Sequence, residues 1–120
     1  MPILKVKIAD TPDLLSKGLM FVKEMDQDKG MLFKFPSIIE ASFWGKNTYL
    51  PLDIAFVDKL NKIIDIRHIS PLSTKMVRSS GCIMAIEANA GYFKTNGISS
   101  GHKVVFVTND EKEAEISFEE

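Results

Sequence analysis

Two short runs constrain the fold of this chain more than any others. Leu52–Val57 (LDIAFV) and residues 82–90 (CIMAIEANA) are apolar at odd and even positions alike. A strand with one wet face alternates apolar and polar residues, so these runs read as central strands covered on both faces. Each holds one carboxylate, Asp53 in the first and Glu87 in the second. An ionised carboxylate taken out of water needs a partner or a shifted pKa, so both residues ask for an explanation.

The other segments supply neighbours for such strands. Leu4, Val6 and Ile8 alternate with Lys5 and Lys7, as in a one-sided or edge strand. Thr11 before Pro12 reads as a helix N-cap with proline at the first helical position, Leu15 and Leu19 share a face, and Gly18 keeps the helix short. A polar turn (KEMDQDKG) feeds a strand over residues 31–35 that Pro36 closes, and another strand follows. Residues 58–62 form a turn that brings IIDIRHI back as the hairpin partner of LDIAFV. Residues 70–81 read as a loop with room to move, and Asn89 as the cap of a short helix that Gly97 ends. KVVFVT and AEISF make a last pair around Asn109-Asp110. Strands outnumber helices, which puts the chain in the mainly β (α+β) class with two short helices.

At 120 residues, residues 1–120 make a single domain. The acidic segment 110–120 holds six acids and one lysine and reads as an edge strand plus tail; the remainder carries a scattered excess of four positive charges. That excess is too mild and too dispersed for a nucleic-acid surface. The single cysteine, Cys82, excludes an internal disulfide framework. No run reaches the roughly 18 apolar residues of a membrane span, and the N-terminus lacks the pattern of a signal peptide. The chain as it stands is expected to be soluble and cytoplasmic, with a periplasmic or exported location open if a leader has been removed.

The run FWGKNTYLPLD, residues 43–53, delivers Lys46, Asn47 and Thr48 just ahead of Asp53, as the nearest groups able to answer the two carboxylates; Arg67 and Arg78 are further candidates. In the structural alternative, Asp53 bonds loop N–H groups at the start of its strand and Glu87 pairs with one lysine or arginine. In the functional one, the carboxylates and Lys46 line a small polar pocket. Phe43 and Trp44 point to opposite faces if extended, one to the core and one to a rim. Cys82, in an apolar strand, reads as a buried hydrophobe rather than a nucleophile. His68 and His102 lack a second ligand at metal spacing, so no metal and no cofactor is expected. The methionines read as core filler, and no phosphate loop or nucleophile elbow is present.

The ordered set ADTP (9–12), KGLM (17–20), GMLFKFP (30–36), FWGKNT with LPLDIAFVD (43–58), and IEANAGYF with NGISSGH (86–102) resembles the uncharacterised ACR family, domain of unknown function 192. The resemblance covers most of the chain. It implies a small, curved, barrel-like mixed β-sheet and no assigned reaction, and exported relatives add weight to an extracytoplasmic location. The family pattern has methionine at Gly45, whose loss here would thin a wall, and an acid at His102.

Three functions are consistent with these residues. The first is a binding module for a small polar ligand in a β cradle, using Trp44, Lys46, Asn47, Thr48, Asp53, Glu87 and Asn89. The second is a hydrolase-type acid/base enzyme with Asp53 or Glu87 as base and Lys46 polarising the substrate. The third is a non-catalytic interaction or assembly protein using a strand edge or the acidic tail. Oligomeric state and compartment are not legible.

Overall fold

The computed structural model describes residues 2–120. Seven strands, β1 (Leu4–Ala9), β2 (Lys29–Phe43), β3 (Leu52–Val57), β4 (Ile63–Ile69), β5 (Val77–Asn89), β6 (Lys103–Asn109) and β7 (Glu113–Glu119), form one sheet in the order β4-β3-β5-β2-β1-β7-β6. The helices are α1 (Pro12–Lys17) and α2 (Tyr92–Thr95). β1 and β2 run parallel and the other pairs antiparallel, so the sheet is mixed. A parallel pair needs a crossover, and α1 sits in it. Thr11 caps that helix, its Oγ1 accepting the Leu14 N–H at 3.3 Å, and Gly18 ends it at φ 50°.

The sheet curls until its two edge strands approach each other. Ile63 N–H donates to the His102 carbonyl at 2.9 Å, Gly101 N–H to Ile63 at 2.7 Å, and Val104 N–H to Asn61 at 2.8 Å. The inside of the curl is one apolar cluster drawing on all seven strands and on α2, with Leu4, Leu32, Ile86, Phe93, Ile116 and Phe118 fully buried. A second cluster on the opposite face contains Phe33, Ile54, Phe56 and Ala85. The doubly apolar β3 and β5 therefore serve two cores.

Several local expectations give way to pairing. Pro36 does not close a strand: it lies where the β2–β5 ladder lapses between Lys34 and Ile39, so its missing N–H breaks no ladder bond and β2 continues to Phe43. The strand bends there. Phe33 and Phe43, ten residues apart, bring their rings to 4.8 Å between centroids, which a straight strand rising about 3.3 Å per residue could not do. The loop at 70–81 is shorter than expected, because Val77 to Ser79 pair with the returning half of β2 and Ser80 and Gly81 continue the strand. β1 is one-sided but interior, and β7 is hydrogen-bonded between β1 and β6, so the acidic segment forms an inner strand instead of an edge and tail. Asn89 does not cap α2; Gly91 occupies that position, and no side chain caps the helix. Met84 is buried and Met25 and Met31 pack against core clusters, whereas Met76 is 37% exposed.

Candidate functional site

The bend in β2 makes a cleft. α1 and the residues after it lie across the sheet beside Phe33, Phe35 and Phe43, leaving an opening of about 360 Å³ whose lining includes Leu15, Gly18, Trp44, Thr48 and Glu87. Glu87 is 4% exposed. Its β5 position stands opposite Ile54 of β3 and Met31 of β2. A Cβ built on Gly18 would stand 4.0 Å from Glu87 Oε1 and 3.2 Å from Phe33 Cζ, so the end of α1 is held directly over the carboxyl. No hydrogen bond or ion pair within the protein reaches the Glu87 carboxyl among the described residues, but its oxygens keep contact with the cleft; the buried polar atom with neither partner nor access is the Tyr92 hydroxyl. Burial pushes its pKa up from 4.5 to about 8, so at neutral pH it is mainly the neutral acid, with one O–H to donate.

Three of the sequence-predicted residues meet here: Glu87 at the floor, Thr48 in the wall and Trp44 at the rim. Thr48 is buried, and its hydroxyl donates to the Lys46 carbonyl at 3.2 Å. Trp44 is 38% exposed and carries Lys46 Nζ 5.2 Å above its ring, a cation–π contact. Phe43, its neighbour, enters the core. Lys46 thus borders the cleft and pairs with neither carboxylate. Asn47 shapes the turn: it adopts φ 56°, and its carbonyl accepts the Phe21 N–H at 2.8 Å.

Asp53 and Asn89 stand apart. Asp53 pairs in register with Ala88, and Glu87 with Ile54, so alternation puts the two carboxylates on opposite faces of the sheet. Asp53 is also satisfied, accepting the Gly91 N–H at 2.8 Å and meeting His68 Nδ1 at 3.0 Å. A shared pocket for the pair is excluded. Asp53→Ala is expected to lower stability by about 1–2 kcal/mol in thermal melts, because the Gly91 N–H loses its acceptor. Asn89 spends its amide on the Met25 and Asp26 carbonyls at 2.9 and 3.2 Å, tying the segment after α1 to β5. Arg67 turns to Asp65 at 3.8 Å. Sequence reasoning missed Phe33, Phe35 and Gly18 as parts of the cleft, because the doubling back of β2 has no periodic signature. It also missed the Asp53–His68 pair, which the register of the expected hairpin contained.

A larger groove of about 670 Å³ runs along β1 and β7 past Lys5, Lys7, Lys29 and Glu113. Lys5 and Lys29 pair there with Asp28 and Asp26 at 3.6 and 3.4 Å, and its unpaired charges, Lys7, Glu24 and Glu113, are exposed to water, so none is a buried carboxyl like Glu87. Burial also raises the Cys82 thiol pKa, as expected of a packed cysteine. Among the described residues no group of three or more His, Cys, Asp or Glu side chains is placed to hold a metal ion, and no helix is long and apolar enough to cross a membrane.

Residues 2–106 match the sequence profile of the family described as Uncharacterized ACR, DUF192. Among solved structures, a putative transcription regulator from Sinorhizobium meliloti superposes with a TM-score of 0.81 at 36% identity, over 83% of this chain and 79% of that one. A protein of unknown function from Novosphingobium aromaticivorans gives a TM-score of 0.80 at 31% identity, over 82% and 71%. No curated protein matches.

Proposed function

Because the chain belongs to the uncharacterised ACR family, whose description carries no reaction, we propose from its own cleft that it is a binding module for a small molecule with a polar head and an apolar body. The head meets Glu87, and the body lies on Phe33, Phe43 and Trp44. One observation carries this reading: a carboxyl that is almost fully buried, faces an opening and has no partner. Buried polar groups in folded proteins nearly always find a hydrogen bond, and one that finds none is a place for something to bind. The volume sits near the lower end of the roughly 300–1,000 Å³ typical of ligand pockets, which favours a compact molecule.

The acid/base alternative loses its second carboxylate, since Asp53 lies across the sheet. The assembly alternative loses its free tail, since residues 113–119 form an inner strand. A part in transcription, raised by the description of the Sinorhizobium protein, is not favoured by a chain with a net charge of -1 whose basic residues are scattered along the sequence.

A thermal-shift screen of small amphiphilic molecules tests the proposal. A ligand at one hundred times its Kd is expected to stabilise the wild type by about 2.7 kcal/mol, and Trp44→Ala, which removes an exposed rim side chain, is expected to weaken that response. Compounds that stabilise the wild type and Trp44→Ala equally, or a complete absence of stabilisers, would sink it.

A further inference from the structure

We propose that the head group this cleft accepts is a hydrogen-bond acceptor, the carboxylate or carbonyl of a small organic acid or amide, taken by Glu87 acting as a neutral donor. The inference rests on the binding-module reading and adds a chemical class to it.

The charges around the opening carry the argument. α1 contributes Lys17 to the lining, and its other charged residue, Asp13, lies outside it. β2 contributes only Phe33, Phe35, Ile39, Ala41, Ser42 and Phe43, and β5 only Glu87. The turn after β2 contributes Trp44 and Thr48, with Lys46 held over the indole. Facing the carboxyl from the neighbouring strands are Ile54 and Met31, neither of them titratable. The cleft therefore has one lysine in its lining, a second over its rim tryptophan and, at its floor, a single acid that its apolar walls keep protonated. An approaching anion meets favourable charge at the rim and an O–H at the bottom. An ammonium ion meets the lysines first and then has to ionise Glu87 against its burial.

A carboxyl held neutral by apolar surroundings so that it can donate is an established device for receiving developing or full negative charge. The burial that raises Glu87 toward 8 supports this state below that pH. Thr48, whose hydroxyl hydrogen is already given to the Lys46 carbonyl, offers only lone pairs, so of the two buried polar side chains in the lining Glu87 is the donor, the hydroxyls of Ser16 and Ser42 and the Lys17 ammonium being exposed. The aromatic wall of Phe33 and Phe43 suits a flat or branched body of about the size of a phenyl group, given an opening near 360 Å³.

Phenylacetate, phenylacetamide and phenethylamine share one body and differ in the head, so titrating each by NMR into the wild type, Glu87→Gln and Glu87→Leu from pH 6 to 9 decides the matter. The acetate and the amide are expected to bind the wild type at least tenfold more tightly than the amine. The acetate's affinity should be flat at pH 6–7 and fall toward tenfold per pH unit above about 8, as the donor proton is lost, while the amide, which can offer an N–H to the ionised carboxylate, should fall less. Glu87→Gln keeps an N–H donor, so it should hold affinity within a few-fold and remove the pH dependence, while Glu87→Leu should lose tenfold or more. Preference for the amine, with affinity rising with pH and vanishing in Glu87→Gln, overturns the acceptor class while leaving a binding module in place. No binding by any of the three at roughly millimolar concentration overturns both.

Discussion

Glu87→Leu is expected to unfold at a higher urea concentration than the wild type, by a margin that widens as the pH rises from 5 to 8. At pH 5 the wild-type carboxyl is neutral in the folded protein and has no partner within it, which costs about 1 kcal/mol, the low end for a buried polar group because the cleft admits water. Leucine of similar volume against Ile54 and Met31 removes that cost. The sign of the pH effect follows from proton counts. Between the unfolded pKa of 4.5 and the folded value of about 8, the folded state holds a proton that the unfolded state has released. Unfolding free energy therefore falls with rising pH, the full stability being present below the unfolded pKa and the loss complete above the folded one. A shift of that size sets an upper bound of roughly 5 kcal/mol, and about 3 kcal/mol between pH 5 and 8 is the expected change, since the cleft is open to water. The comparison isolates one site, because every other group titrates alike in both proteins. A margin that stays constant, or that narrows toward pH 8, would mean that Glu87 is ionised and paired in the folded state, and the cleft would then hold no free donor. A margin that widens identifies a side chain retained at a cost to stability, the pattern expected where function opposes folding.

What the sequence disclosed and what it withheld divide along a physical line. Features set by a few consecutive residues were legible: the alternation of Leu4, Val6 and Ile8, the Thr11-Pro12 cap, the two-sided runs of β3 and β5 and the hairpin joining β3 to β4. The anomaly of two lone carboxylates was also legible. Their relation was not, because it depends on which residues pair across β3 and β5. In an antiparallel ladder a slip of one position exchanges the faces, and the register that sets Asp53 beside Ala88 sends Glu87 to the other side. The sequence could name the odd residues, and only the pairing could say which faced an opening. The same applies to β2. A proline within an apolar run signals an end when only local preference is considered, yet a fifteen-residue strand accommodates Pro36 at the lapse in its ladder. The bend that results brings Phe43 back over Phe33 and forms the wall of the cleft.

Gly45 is the second position at which a large effect is expected. In the resemblance to the ACR family a methionine stands here, and its absence suggested a thinned wall. The space is in fact filled by backbone. A Cβ at Gly45 would lie 2.1 Å from the Ser70 carbonyl oxygen and 3.2 Å from the Ser73 nitrogen, and real Cβ atoms do not approach within 3.0 Å. The segment after β4 is latched onto the turn after β2: Gly45 N–H donates to the Ser73 carbonyl at 2.8 Å, and Leu72 N–H to the Thr48 carbonyl at 3.0 Å. A side chain at residue 45 forces the two backbones apart, because a carbonyl in a hydrogen-bonded loop cannot rotate away as the end of a flexible side chain can. Overpacking of this kind costs about 1–3 kcal/mol, and the latch bonds that fail with it add about 1 kcal/mol each. Gly45→Ala is therefore expected to lose roughly 3 kcal/mol in urea denaturation, and Gly45→Met at least as much. Because Thr48 and Trp44 belong to the same turn, the loss should reach the cleft as well, and a ligand found by thermal shift should bind both variants more weakly even at temperatures where they remain folded. The control is Gly81→Ala, at a position where a new Cβ meets nothing within 4 Å. Its φ of 73° still strains an L-residue, so it should cost about 1 kcal/mol without altering the cleft. If Gly45→Met proves as stable as the wild type, the segment at residues 70–73 can withdraw without cost, and the latch holds neither the turn nor the rim of the cleft.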